Sequence, residues 1–457
     1  MNVTTADPVT PGSNLPTPRR QRRRLGLIGP MLALAVAGLA VGRFLFAGES
    51  RPTEVAHPSS RLAQSTDLAS LQAATVSQPE SAKAWLAYGV AALRTAISTS
   101  DPSYYAVARA ALDRAGQIAP DAADTLAARA ILSLSLHDFA AALPLAEQAA
   151  ATNPYSTTAL GALVDARVEN GDYQGAEHAA RQLLDAGPGV AAYSRVSYLR
   201  QLSGDIEGAR TAMQQAVASA SPGSDRAVVE TYLGDISLES GMLDEAASDY
   251  EHALVDQPKS VAAALGKARV MIARGTLVEA ASLLDGVVAR SPQPAAALLR
   301  GELAVLQGDQ AAADSAFALV DANEQILRSQ GVVTDLESAL YQADHGRPTN
   351  ALASARAAYD ARHTVFTADA VAWALARSNR ATEAVPYAEE AVAGGLLSPA
   401  VRIHVAFVFD AIGDTTRARA ELETAVRSSP WLALSARPVA RDLASRLAVT
   451  VPEGWTP

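Results

Sequence analysis

No cysteine occurs among the 457 residues, which excludes disulfides, thiolate nucleophiles and cysteine-based zinc sites. That absence is compatible with an oxidising compartment without proving one. The signatures of catalysis are missing too. Gly266-Lys267 lacks the upstream glycine and the following Ser or Thr of a phosphate-cradling loop, and the chain has neither a G-x-S-x-G elbow nor an H-E-x-x-H pair. His57, His137, His178, His252, His345, His363 and His404 are scattered without metal-ligand spacing, which suits structural or solvated roles. Acids such as Glu389-Glu390 point to different helix faces and read as solvated surface rather than a general acid/base couple. The sequence therefore predicts a protein that is not an enzyme and carries no metal or cofactor.

Charge is divided unevenly. Residues 1–24 hold five arginines, at 19, 20 and 22–24, against the single acid Asp7, while the rest of the chain carries 33 bases and 47 acids. An excess of acid that large argues against nucleic-acid binding, which rests on neutralised phosphates, and favours basic or neutral polypeptide partners.

Prolines supply the organisation. Pro120, Pro154, Pro188 and Pro222 are each 34 residues apart, Pro258 follows after 36 and Pro292 after another 34. Proline lacks the N–H that would continue a helix, so each closes one unit of a two-helix repeat. Ala246, Tyr250, Ala253 and Pro258 form an A-x3-Y-x2-A-x4-P string behind Leu233-Gly234. Ala108-Leu112-Ala115, Ala142-Ala146-Ala149, Ala176-Ala180-Leu183 and Ala280-Leu284-Val287 repeat the phase, and Ala313-Phe317-Val320, Ala351-Ala355-Ala358, Ala384-Ala388-Ala391 and Ala418-Leu422-Ala425 extend it to Pro430. Gly171-Asp172, Gly204-Asp205, Gly308-Asp309 and Gly413-Asp414 mark the turn inside a unit: glycine takes the positive φ and Asp caps the next helix. The first unit, Pro79 to Pro120, is seven residues longer than the others, and the extra length is expected in the loop Ser98 to Ser103. Pro144 and Pro386 are expected in the first turn of their second helices, where a missing N–H costs nothing.

This pattern resembles the tetratricopeptide repeat. The resemblance covers roughly residues 79–430 and implies an all-α, right-handed superhelical solenoid of about ten helix pairs, with 431–457 as capping helix and loose tail. It implies a docking surface for proteins rather than any one function. The inner surface of such a solenoid is lined by the first helix of each unit. Carrying the phase along, the positions after the small Leu-Gly site are Asp165, Tyr198, Asp235, Arg269, Glu302, Leu340, Trp373 and Phe407. The first five are mainly polar; the last three are large and apolar. With Leu336, Phe366, Asp369 and Ile403 one turn earlier or alongside, Leu340, Trp373 and Phe407 form a candidate peptide-binding strip in which Asp369 is a polar fix. Ordinary packing is the competing reading of the same residues. The Lys and Asn clamp by which chaperone-binding members hold a C-terminal carboxylate does not appear.

Leu25 to Ala47 carries no charge until Arg43 and spans roughly 35 Å as a helix, enough for the ~30 Å hydrocarbon core. The arginines before it place residues 1–24, a proline-rich tail expected to be disordered, in the cytoplasm. Residues 25–47 are then an uncleaved transmembrane anchor in the cell (inner) membrane and 48–78 a linker with a possible short helix. The alternative is a cleaved leader that releases a secreted or periplasmic domain. Either way the repeats are exported. The functional expectation is a membrane-anchored, extracytoplasmic scaffold or adaptor for proteins or peptides of the cell envelope; the alternative is a subunit presenting substrates to a membrane enzyme or an envelope biogenesis or secretion complex.

Overall fold

The computed structural model describes residues 68–99, 101–452 and 455. The basic tail, the membrane segment and most of the linker lie outside the described residues. Within them are twenty-two α-helices and no strand, and no helix there is long and apolar enough to cross a membrane. Helix α1 (Leu68–Ser77) precedes ten consecutive pairs. Unit 1 is α2 (Ala82–Thr99) with α3 (Ser103–Ile118), unit 2 is α4 (Ala123–Ser135) with α5 (Phe139–Thr152), and unit 3 is α6 (Thr157–Glu169) with α7 (Tyr173–Ala186). Units 4 to 6 are α8 (Val190–Leu202) with α9 (Ile206–Ser219), α10 (Ser224–Glu239) with α11 (Leu243–Asp256), and α12 (Val261–Ala273) with α13 (Leu277–Arg290). Units 7 and 8 are α14 (Pro294–Gln307) with α15 (Gln310–Ser329) and α16 (Asp335–Asp344) with α17 (Pro348–Ala361). Units 9 and 10 are α18 (Val365–Arg377) with α19 (Ala381–Val392) and α20 (Pro399–Ala411) with α21 (Thr415–Ser428). A 3-10 turn (Leu434–Ala436) and α22 (Arg437–Leu447) complete the described helices.

Each pair closes around an alanine. Ala108, Ala142, Ala176, Ala209, Ala246, Ala280, Ala313, Ala351, Ala384 and Ala418, one in each second helix, are fully buried. A methyl group lets two helix axes approach closely, and larger neighbours fill the space between pairs. Tyr250 shows the fit: its ring lies where a Cβ on Gly234 or Gly266 would stand, so both helices flanking it need glycine there. The turns inside the units behave as the Gly-Asp pairs predict. Asp172, Asp205, Asp309 and Asp414 accept from the backbone N–H three residues on, at 2.9–3.1 Å.

Three local expectations are corrected. The extra length of unit 1 is taken up by its helices, of 18 and 16 residues, and not by the loop. Pro144 and Pro386 occupy the sixth position of α5 and α19, beyond the first turn, so each leaves a helical carbonyl without its usual donor. The tail is not loose where it is described: Trp455 is fully buried and its Nε1 donates to Ser429 O at 3.2 Å.

The solenoid also touches itself. Val333 N, ahead of α16, donates to Leu136 O at 3.2 Å, and His137 Nδ1 lies 2.9 Å from Val333 O. One unit on, Val365 N donates to Tyr173 Oη at 3.2 Å, Arg362 pairs with Glu169 and stacks over Phe139, and a Cβ on Gly171 would collide with His363 O. Gly204 meets Gly395 O in the same way and Gly241 meets the ring of Pro430. The hydrogen-bonded partners are 192–197 residues apart, between five and six repeat lengths. The second course of the superhelix therefore lies directly on the first, with units 2, 3, 4 and 5 under the segments that open units 8, 9 and 10 and close unit 10. Leu136, Phe139, Leu202, Val332, Val365 and Leu396 share one buried apolar cluster across this seam.

Candidate partner-binding surface

The positions that the repeat phase assigns to the inner face carry a ladder of ionisable groups on successive first helices. At its amino-terminal end Arg195 holds Asp165 in a bidentate pair, Nε to Oδ1 2.9 Å and Nη2 to Oδ2 2.5 Å, both side chains buried. The guanidinium fits because residue 161 is glycine; a Cβ there would press on Arg195 Cζ at 3.1 Å. Burial pushes the Asp165 carboxyl up and Arg195 pulls it back. One turn on, Glu169 reaches the seam, where burial raises it to about 7 against the opposing charge of Arg362.

Units 5 to 7 form the middle of the ladder, and here the side chains keep contact with water. Asp235 accepts from Tyr250 Oη at 2.7 Å and lies 3.8 Å from Arg269 Nη1. Glu239 is exposed in the sense that water reaches it, yet its carboxyl is pushed up to about 7, first by loss of bulk solvation and then by the Asp235 charge, with Arg269 opposing. Both facts hold for a side chain facing a concavity, where nearby walls displace bulk solvent without touching the group. Glu302, on α14, goes further, to about 8: burial and the Asp344 carboxylate raise it, while Arg269, Ser435 and Arg437 oppose.

The carboxy-terminal end is closed. Trp373 stacks on His404 with centroids 4.1 Å apart, meets Phe407 edge-on at 5.4 Å, and donates from Nε1 to Asp344 Oδ1 at 2.8 Å. Arg377 covers the ring at 5.2 Å. Asp369 accepts from His404 Nδ1 at 3.0 Å. Burial would lower the His404 imidazole, but the charge and hydrogen bond of Asp369, with Asp344 beyond, raise it.

Of the seven residues of the expected strip, Leu336, Asp369, Trp373 and Ile403 are buried, and Leu340, Phe366 and Phe407 are half-buried. The structure does bring Asp369, Trp373 and Phe407 together with His404, but as packed neighbours. Asp369 already has a partner, so in this arrangement the four buried residues offer no open surface. Sequence reasoning missed Asp344 and His404; the first lies one turn beyond Leu340 and the second follows Ile403, so extending the phase by a turn and by one position reaches both. Among the described residues no group of acids and histidines is arranged to hold a metal ion.

Residues 133–197 and 237–303 match the family model of the tetratricopeptide repeat. The chain therefore contains tetratricopeptide repeats. No curated protein matches it. Among solved structures, a thermophilic TPR protein of Thermus thermophilus is 21% identical over 40% of this chain and 97% of its own, with a TM-score of 0.36. PilF of Pseudomonas aeruginosa is 18% identical over 46% of this chain and 97% of its own, at 0.37. The human IFIT1 dimer with m7Gppp-AAAA is 14% identical over 74% of this chain and 78% of its own, at 0.47.

Proposed function

We propose that this run of tetratricopeptide repeats is a docking scaffold of the cell envelope, held by residues 25–47 in the inner membrane with residues 1–24 in the cytoplasm and the repeats outside. The observation that carries the docking role is the middle of the ladder. Asp235, Glu239, Arg269 and Glu302 remain in contact with water on three successive units, while the packing of those units rests on alanines and leucines rather than on these charged groups. Three carboxyls face one arginine there, and a basic group would draw the raised pair, Glu239 and Glu302, towards the charged form, which fits a neutral or basic polypeptide. Any chemistry done on such a partner belongs to another protein.

Two measurements test this. A photo-crosslinking residue at Glu239 in intact cells should capture a polypeptide, whereas one at Tyr155, an exposed turn residue, should not. Capture from Tyr155 alone, or from neither, overturns the docking site. Because the chain has no cysteine, Ser224→Cys and Thr5→Cys report topology separately. A membrane-impermeant maleimide should label the first and spare the second in permeable-walled cells; the reverse pattern would invert the orientation.

A further inference from the structure

The segment after the last repeat does not stay with that repeat. Pro430 ends unit 10, residues 429–433 are not helical, and the chain then passes through the 3-10 turn into α22. Along this path Leu432 and Ala436 join the main core cluster, while Trp431 and Leu434 turn to units far away in sequence. Trp431 packs against the cluster of Leu238, Ala246, Tyr250 and Val270, in units 5 and 6. Leu434 is buried in the cluster built by units 6 and 7, and its 3-10 turn lies against α14. Ser435 hydrogen-bonds Glu302 and Arg437 places a positive charge near it. Residues 431, 434 and 437 thus present an aromatic, a leucine and a base to the water-contacting end of the ladder, in a short segment that runs from non-helical backbone at 431–433 through a 3-10 turn into the first residue of α22.

We propose that Trp431–Arg437 is a tethered internal ligand, occupying on units 5 to 7 the site that a partner segment with the same aromatic–leucine–base spacing takes by displacing it. This deepens the docking reading and rests on it. Three features favour an exchangeable occupant over a fixed cap. The amides of the segment bond within the segment, Trp431 N to Ser429 Oγ at 3.2 Å and Ala436 N to Ala433 O at 3.1 Å, so these bonds survive detachment. The buried Trp431 indole N–H has no acceptor among the described residues, which makes the fit imperfect and leaves room for a better competitor. Finally, the segment is held at both ends, by the Trp455 bond to Ser429 O and by α22 packed on unit 10, so once displaced it bulges between two fixed points and stays at high local concentration. The partner is accordingly a peptide with Phe or Trp three residues before Leu and six before Arg or Lys, able to turn at the leucine as residues 434–436 do.

The test uses the full-length chain in detergent and a fluorescent nonapeptide of residues 429–437. The peptide should bind Trp431→Ala protein at least tenfold more tightly than wild type, because the internal competitor is weakened. Replacing the tryptophan of the peptide by alanine should abolish that binding, and replacing it by phenylalanine should preserve it. Equal binding to both proteins, or to neither, overturns the proposal. Should Trp431→Ala reduce the helical content, the wild-type chain decides: saturating peptide must speed hydrogen exchange in 431–436, and unchanged exchange equally overturns it. A polypeptide crosslinked from Glu239 in cells together with a failed peptide exchange would leave the docking reading standing and remove this one alone.

Discussion

Trp373 illustrates how a side chain at a lining position becomes core. Its ring is stacked on His404, capped by Arg377 and tied by its indole N–H to Asp344, and almost none of it meets water. Trp373→Ala should therefore destabilise the protein by about 3–5 kcal/mol in urea titration, from lost burial and the cavity left behind. Phe407→Ala, at a half-buried ring, should cost clearly less. Equal and small losses would place Trp373 on an open surface after all. Trp85 falls short of the same burial: it is half-buried and its indole donates to Pro79 O at 2.9 Å, because at unit 1 only α1 lies on its amino-terminal side among the described helices. Glu302 gives a residue-scale pH prediction. Its folded pKa, about 8, lies above the ordinary carboxyl value of the unfolded chain, so folding favours the protonated form. Its contribution is then full below the unfolded pKa and is lost as pH rises through about 8. Melting temperature should fall from about pH 4.5 to about pH 8, and Glu302→Gln should flatten the upper part of that fall. An unchanged slope would mean that Asp344, Arg269, Ser435 and Arg437 do not set this group's titration.

At the scale of elements, the turns inside the units separate two demands that glycine meets. Gly171, Gly204, Gly241, Gly275 and Gly308 all have φ between 76° and 80°. Alanine at any of them should cost about 1 kcal/mol for the left-handed backbone. Only the first three stand against the second course; around Gly275 and Gly308 nothing lies within 4 Å of an added Cβ. Alanine at Gly171, Gly204 or Gly241 should lose a further ~1–3 kcal/mol from overlap with backbone or the Pro430 ring, and equal losses at all five would show that the seam is not tight. The contrast also marks how far sequence reaches. Helix pairs, their turns and the polar character of Asp165, Asp235, Arg269 and Glu302 were legible because each depends on contacts within one or two units, and these repeat. The seam was not, since its partners are about 190 residues apart and involve His363, Gly395 and Pro430, which the repeat pattern treats as ordinary turn residues. The same holds for the strip around Trp373. Its closure depends on Asp344 and His404 in neighbouring units, and on the curvature that brings their helices together.

For the whole molecule the seam changes the rule for adding up stability. A linear stack of repeats is approximately a sum of unit and nearest-neighbour terms, so damage stays local. Here units 2 to 5 also bear on units 8 to 10, and a shared apolar cluster runs across the contact. The Arg362–Glu169 pair at the seam adds little by itself, because burying both charges costs about as much as their attraction returns. The holding force is the apolar surface contributed by Leu136, Phe139, Val332, Val365 and Leu396. Units 6 and 7 have no such stacked partner among the described repeats. Leu183, fully buried on α7 of unit 3, separates the two pictures. Leu183→Ala should cost about 2–5 kcal/mol locally, and native-state hydrogen exchange should show lost protection in α6 and α7 and also, across the seam, in α18 of unit 9. Helices α13 and α14, nearer to the mutation in sequence than α18 but without seam contact to unit 3, should keep theirs. Protection lost only in units 2 to 4 would return the molecule to the linear rule and reduce the seam to a contact without energetic weight.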